Sequence, residues 1–188
     1  VIELLKLEDI QLGPFTDEKA GRVGEIRGVQ VKKLVEHVDN RGRVFEFFPN
    51  QEDFWSEEIV WGHCFTVNPG AIKGWGVHLG KVDRYCLISG EALTVLFDSR
   101  VKSSSFGTIQ EIHLSEGGNR MVLIPNGVWH LNVNLGEKEA MFIDLPNATY
   151  NHQEPDKITV PWNTNKIPFN LGYSTWVRAT HLRNISQP

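Results

Sequence analysis

Cysteine is scarce in this chain: two of 188 residues, Cys64 and Cys86. That is too few for a disulfide scaffold. Both fall in apolar runs of strand character, so both are expected to be reduced, buried packing residues of a cytoplasmic protein. Basic excess is also missing. Lysine and arginine total 19 against 23 aspartates and glutamates, a formal charge of −4 and a pI near 6.0. A protein held to nucleic acid mainly by phosphate contacts carries the opposite imbalance. No apolar run approaches the roughly 20 residues that span a bilayer, and no basic-then-apolar leader stands at the start. Nucleic acid and membrane are therefore not expected partners. No long segment keeps a 3.6-residue apolar period, which argues against a helical protein.

What the sequence has is strands. With 40% hydrophobic and 22% charged residues, the composition is that of a folded domain. From residue 31, short apolar or alternating runs recur about every ten residues. They include VKKLVEHV (31–38), GRVFEFF (42–48), IVWGHCFTV (59–67), AIKGWGVHL (71–79), RYCLIS (84–89), ALTVLFD (92–98), GTIQEIHL (107–114), RMVLIP (120–125), WHLNVNL (129–135) and AMFIDL (140–145). Val, Ile, Phe, Trp and Thr suit a pleated, half-buried surface. DNRG, NPG, SG and GGN punctuate the runs with turn chemistry. Many short strands at this spacing predict a β-sandwich or barrel. One domain over 1–188 is expected, with a peripheral arm (1–30), a barrel (31–146) and a C-terminal loop and packing segment (147–188). Phe169, Tyr173 and Trp176 should pack that last segment on the body.

The sharpest motif is GNRMVLIPNGVWHLNVN, residues 118–134. Pro125 and Gly127 shape a tight turn. His130, Asn132 and Asn134 then share one strand face by the period of two, and Leu131, Val133 and Leu135 share the other. One histidine and two asparagines suit the wall of a wet cavity. The segment resembles the second motif of the cupin superfamily. Upstream, AIKGWGVHLGKVDRYCLISGEALTVLFD stands where the first cupin motif is expected. Gly90 fits its late glycine, His78 its second histidine and Asp83 its acidic position, while Gly76 occupies the first histidine position. His78, Asp83 and His130 would make a two-histidine, one-carboxylate set for iron-like metals. With Gly76 emptying one ligand position, no tightly bound metal and no cofactor are expected.

A closer resemblance covers about residues 31–170. Asp39, Arg41, Gly42 and Glu46, then Ser103, Ser105, Phe106 and Gly107, then Ile124, Pro125, Gly127, Val128 and His130, then the Trp162–Asn163 pair, run in the order of the dTDP-4-dehydrorhamnose 3,5-epimerase family. The resemblance implies an all-β, metal-free cupin (jelly-roll) barrel of two antiparallel sheets. It implies a homodimer, with N-terminal strand residues crossing to the partner's sheet. The implied substrate is a dTDP-4-keto-6-deoxyhexose, with proton abstraction beside the keto group. Aligned on the family, Gly76 stands in the place of the catalytic base, Asp83 in that of an enolate-stabilising lysine and Leu145 in that of the acid tyrosine. The aspartate that orients the base has no visible counterpart. The candidates left are His78 as base, Asp83 holding its imidazole, and Tyr150 as acid. Arg41, Glu46, Lys73, His130 and Asn132 are the candidate substrate-binding residues, with Arg41 and Lys73 toward the diphosphate. A non-catalytic binder of a nucleotide sugar or other small ligand, and a metal-dependent cupin enzyme, are the alternative readings. Asp98 and Arg100 are expected to be a structural pair. His37, His113, His152 and His181 are expected at the surface or rim.

Overall fold

The computed structural model describes residues 4–13, 15, 20–47, 54, 56, 58–174 and 177. Trp176 and His181 lie outside them, so the expectations made for those two side chains go no further. Two sheets face each other. The six-stranded sheet runs in the order β1 (Arg22–Val23), β9 (Thr108–Ser115), β8 (Glu91–Asp98), β11 (Val128–Asn134), β6 (Ile72–His78) and β13 (Lys157–Thr159). The five-stranded sheet runs β2 (Gln30–Lys33), β10 (Arg120–Ile124), β7 (Asp83–Ser89), β12 (Ala140–Asp144) and β5 (His63–Val67). Pairing is antiparallel in both except where β1 lies parallel to β9. A separate hairpin, β3 (Glu36–Asp39) and β4 (Gly42–Phe45), stands apart from both sheets. This is the expected two-sheet jelly roll.

Alternation along the strands sorts the side chains into three apolar layers. Tyr85, Leu87, Leu96, Val122, Val128 and Phe142 fill the space between the sheets. Trp75, Trp129, Leu131, Val133 and Phe97 point outward from the six-stranded sheet. Ile10, Leu12 and Phe15 from the N-terminal segment, and Ile167, Phe169 and Leu171 from the C-terminal one, pack against that outer face. Leu34, Phe54, Cys86, Met121 and Leu123 make a third cluster, with Phe45, Phe47 and Leu145 packed on it. Aromatic tips buried this way need partners. The Trp129 indole donates to Ser99 Oγ at 2.9 Å and the Trp75 indole to the Trp162 carbonyl at 3.2 Å.

Glycines hold two of the turns. Gly90 alone joins β7 to β8 with φ +87°, and a Cβ there would lie 2.8 Å from the Glu139 carbonyl oxygen. Gly127 follows Pro125 with φ +75°, and its amide donates to the His78 carbonyl, which ties the two cupin-like segments together. Asp98 is fully buried and accepts from Arg100 Nε at 2.8 Å and from the Ser103 and Ser105 hydroxyls at 2.6 Å each. The expected structural pair is thus the centre of a four-residue polar knot, and burial offset by these donors leaves its carboxyl below the usual value.

Several sequence expectations change. VKKLVEHV is two strands, β2 and β3, because the chain leaves the sheet at Leu34–Val35. β2 pairs antiparallel with β10. Cys86 is buried, but Cys64 is exposed. The reason is that β5 is an edge strand of the five-stranded sheet, and Cys64 lies on its outward-facing side. His113 is not free at the surface: its Nε2 lies 2.6 Å from Glu91 Oε1.

Candidate active site

The chemistry-bearing residues converge on one cavity of about 180 Å³ between the sheets, lined among others by His63, His78, Lys81, Tyr85, His130 and Asn132. A larger groove of about 300 Å³ lies between the outer face of the six-stranded sheet and the C-terminal segment, beside Ile72, Leu131, Trp162 and Phe169. It has no titratable side chain in its lining. A third depression of about 520 Å³ carries Arg22, Glu25 and Arg27 but no histidine. The inner cavity is where histidines and a buried carboxylate meet.

One wall comes from the six-stranded sheet. β11 presents His130 and Asn132 inward, as the period of two requires. Asn132 Oδ1 accepts from the Thr94 hydroxyl at 2.7 Å. β6 presents Lys73, Gly76 and His78. Lys73 and Gly76 are three positions apart, so a regular strand would put them on opposite faces. The register against β11 slips between His130 and Asn132, with His130 opposite Gly76 and Asn132 opposite Lys73. The extra residue in β6 is a bulge that re-aims Lys73 into the cavity.

His78 sits between two carboxylates. Its Nε2 lies 3.7 Å from Asp83 Oδ2 and its Nδ1 3.5 Å from Asp156 Oδ2. Asp156 also accepts from the Leu79 and Gly80 amides at 3.0 and 3.2 Å, which fixes the carboxylate against the end of β6. Burial works against its charge, but these donors and His78 hold its carboxyl below the usual value. No orienting aspartate is visible in the sequence. The carboxylate that lies beside the His78 ring is Asp156, immediately before β13, in a polar loop with no motif to mark it. The His78 and His130 rings stack with centroids 5.8 Å apart. Both imidazoles therefore point into one cavity, as expected.

The opposite wall comes from the five-stranded sheet and the loops at its end. Asp83 is 2% exposed and lies 3.0 Å from Lys81 Nζ. Burial opposes its ionisation, but charged neighbours including His78 and Lys81 hold the carboxyl down at about 2. Asp144 is also buried, and burial together with the charge of Asp83 raises its carboxyl well above the usual value. Tyr85, buried beside both carboxylates, is raised likewise, and its hydroxyl reaches Asp83 Oδ2 at 3.5 Å. Trp61 stacks on His63 at 4.5 Å and on Tyr150 at 6.3 Å, forming an aromatic shelf at the mouth. Tyr150 is thus on the wall facing His78. Lys81, Tyr85, Asp144, Asp156 and Lys157 were not singled out from sequence. They come from loop ends or from strands without a motif, and only pairing brings them here.

His130 is 3% exposed, and among the described residues neither ring nitrogen has a hydrogen-bond partner. Burial pushes the imidazole down to about 3, so it is neutral at pH 7. One ligand atom from each of His78, Asp83 and His130 falls within 4.8 Å of the others, a spacing a metal ion could bridge. The Lys81 ammonium, 3.0 Å from the same Asp83 carboxylate, would be repelled by a divalent ion there. The residues present fit a carboxylate neutralised by lysine better than one reserved for a metal.

Arg41 and Glu46 do not reach this cavity within one chain. Arg41 is at the exposed tip of the β3–β4 hairpin, 84% exposed, in a fork with Asp39. Glu46 is exposed at its base.

Two facing sheets enclosing a histidine- and carboxylate-lined cavity define a cupin-type small-molecule barrel. The sequence pattern of the dTDP-4-dehydrorhamnose 3,5-epimerase family matches residues 24–183, and the chain belongs to that family. It is 33% identical over 147 residues to the spore coat polysaccharide biosynthesis protein SpsL of Bacillus subtilis (strain 168), covering 77% of this chain and 95% of that one. Among solved structures it resembles a dTDP sugar isomerase from Desulfovibrio desulfuricans G20, with TM-score 0.73, 21% identity, and 79% and 94% of the two chains covered. It also resembles dTDP-6-deoxy-D-glucose-3,5-epimerase RmlC of Legionella pneumophila Philadelphia 1, solved in complex with dTDP-4-keto-L-rhamnose, with TM-score 0.69, 18% identity, and 79% and 81% covered. The chain is a nucleotide-sugar epimerase-like protein of deoxysugar and glycan biosynthesis. Among the described residues, no helix is long and apolar enough to cross a membrane.

Proposed function

We propose that the protein epimerises a dTDP-4-keto-6-deoxyhexose by removing a proton from the carbon beside the keto group. The observation that carries this reading is His78 held between Asp83 and Asp156 inside the cavity. A carboxylate on either side of the imidazole fixes its orientation in the cavity, as a general base needs. His78 is the base. Tyr150, on the shelf of the opposite wall, returns a proton from the other side. His130 and Asn132 line the sugar's path, and Lys73 faces the mouth. The test is deuterium wash-in: dTDP-4-keto-6-deoxyglucose is incubated with the protein in heavy water and read by mass and NMR. Label at C3, at C5 or at both identifies the epimerisation. No label with any 4-keto sugar overturns it in favour of a non-catalytic sugar-nucleotide binder.

The assembly is a homodimer in this reading. Pockets for drug-sized ligands run to about 300–1,000 Å³, so the inner cavity takes the sugar and leaves the nucleotide outside. The β3–β4 hairpin offers what is missing. It projects Val38 at 71% and Val44 at 66% exposure beside Asp39 and Arg41. Such a patch suits a partner surface. Docked on a second copy, the hairpin brings Arg41 and Glu46 to that copy's cavity mouth, with Arg41 toward the diphosphate. Light scattering at micromolar concentration should give twice the 21.4 kDa chain mass, and Val38→Glu with Val44→Glu should halve it. A wild-type monomer would exclude this arrangement. A cytoplasmic location is consistent with cysteines that form no pair.

A further inference from the structure

We propose that Lys157, from β13, is the group that takes up the negative charge on the sugar's 4-oxygen, and that position 76 is glycine because the lysine needs that space. The inference rests on the epimerase reading and adds a catalytic residue to it. When the base takes the proton, the C–H bonding pair becomes a C–C double bond. The carbonyl π pair moves to the 4-oxygen, the proton ends on the base nitrogen, and no other atom is gained or lost. Reprotonation of the carbon from the opposite face reverses this electron flow. An oxyanion formed on the sugar inside the cavity is stabilised most by a donor already in place.

The other basic groups of the cavity are engaged. Lys81 lies 3.0 Å from Asp83 and 4.0 Å from Asp144. Lys73 donates to the Thr66 carbonyl at 3.3 Å and sits over the Phe65 ring. Arg84, next to Asp83 on β7, points to the other side of its sheet, where its Nε donates to the Phe54 carbonyl at 3.0 Å. Lys157 lines the cavity and forms no ion pair with any described residue.

Its position follows from strand pairing. β13 lies antiparallel to β6, with Lys157 opposite His78 and Thr159 opposite Gly76. Residues directly opposite share a face, so Lys157 emerges beside the base. Its side chain then lies across Gly76. A Cβ on Gly76 would collide with Lys157 Cε and come within 3.1 Å of Nζ. His130 Nε2 is 3.3 Å from the same point. An ammonium and a neutral imidazole thus converge where a side chain at 76 would begin, and that imidazole stacks on the His78 ring with centroids 5.8 Å apart. Desolvation, with Lys81 and Lys73 close by, lowers the lysine's pKa from its usual value, and the Asp83 and Asp144 carboxylates counter this.

The experiment is deuterium exchange into dTDP-4-keto-6-deoxyglucose by wild type, Lys157→Met and Gly76→Ala, with thermal unfolding and dTDP binding measured on each. Lys157→Met should exchange about 10²–10³-fold more slowly, as for loss of one oxyanion donor, while still binding dTDP. Gly76→Ala keeps the lysine but displaces it, and should lose at least about tenfold by the same mechanism. It also serves should Lys157→Met fail to fold. Exchange by Lys157→Met within about threefold of wild type would overturn the lysine's role alone. Wild-type exchange with Gly76→Ala unaffected would overturn the role of the glycine. No exchange by wild type with any 4-keto sugar would overturn the epimerase reading, and this inference with it.

Discussion

Replacing His78 with alanine is expected to slow solvent exchange into a 4-keto-6-deoxyhexose by about 10²–10⁴-fold, the usual contribution of a positioned general base. The size of the effect comes from the surroundings. His78 is 5% exposed and bridges Asp83 and Asp156. Without it, no other imidazole on that wall has a carboxylate behind it: His130 has no partner on either nitrogen and is held neutral. Nucleotide binding should survive, because Lys73 and Arg41, the residues assigned to the diphosphate, are held by Thr66 and Asp39 rather than by His78. The check is exchange kinetics beside a dTDP titration. Unchanged exchange with unchanged binding would remove His78 from the mechanism. Loss of both would indicate a positioning rather than a chemical role.

The second large effect is on stability. His130 in the folded protein titrates at about 3, against about 6.5 in an unfolded chain. Above pH 6.5 the ring is neutral in both states and contributes nothing to the pH dependence. As pH falls below 6.5 the unfolded chain takes up a proton that the native ring refuses. Stability then drops by about 1.4 kcal/mol per pH unit until about pH 3. Neighbours complicate the raw curve. Asp83, ionised down to about 2, keeps its stabilising contribution above the unfolded carboxylate value and loses it only as pH falls toward 2. Asp144, whose folded value is raised, titrates with the opposite sign and gains stability as it protonates. His63, lowered by burial, adds to the loss. The His130→Gln variant isolates the one ring. Between pH 6.5 and 4.5, urea unfolding should show wild type losing about 2 kcal/mol relative to the variant. Parallel stability curves would mean that His130 is hydrated or paired in solution.

Strand spacing, turn residues and the order of the matched motifs are local properties, and they sufficed for the two-sheet barrel and for the family. The period of two also put His130 and Asn132 on one inward face of β11, and motif spacing marked His78 and Asp83. Lys73 owes its position to a bulge, which alternation alone does not reveal. Asp156 and Lys157 are adjacent residues of a polar, unremarkable stretch, and nothing local marks them as partners of β6. Three other features were decided only when distant segments paired. β13 closes the edge of the six-stranded sheet, and that register places an aspartate behind His78 and a lysine over Gly76. The approach to β7, the end of β12 and the Trp61 shelf bring Lys81, Asp144 and Tyr150 to the facing wall. Cys64, read from its run as buried, is exposed because β5 ended up at a sheet edge. The sequence by itself determined which residues face inward along each strand, because that depends on a two-residue repeat. Only the tertiary structure decided which inward faces meet, because strand order and register are set by burial and hydrogen bonding summed over the whole sheet.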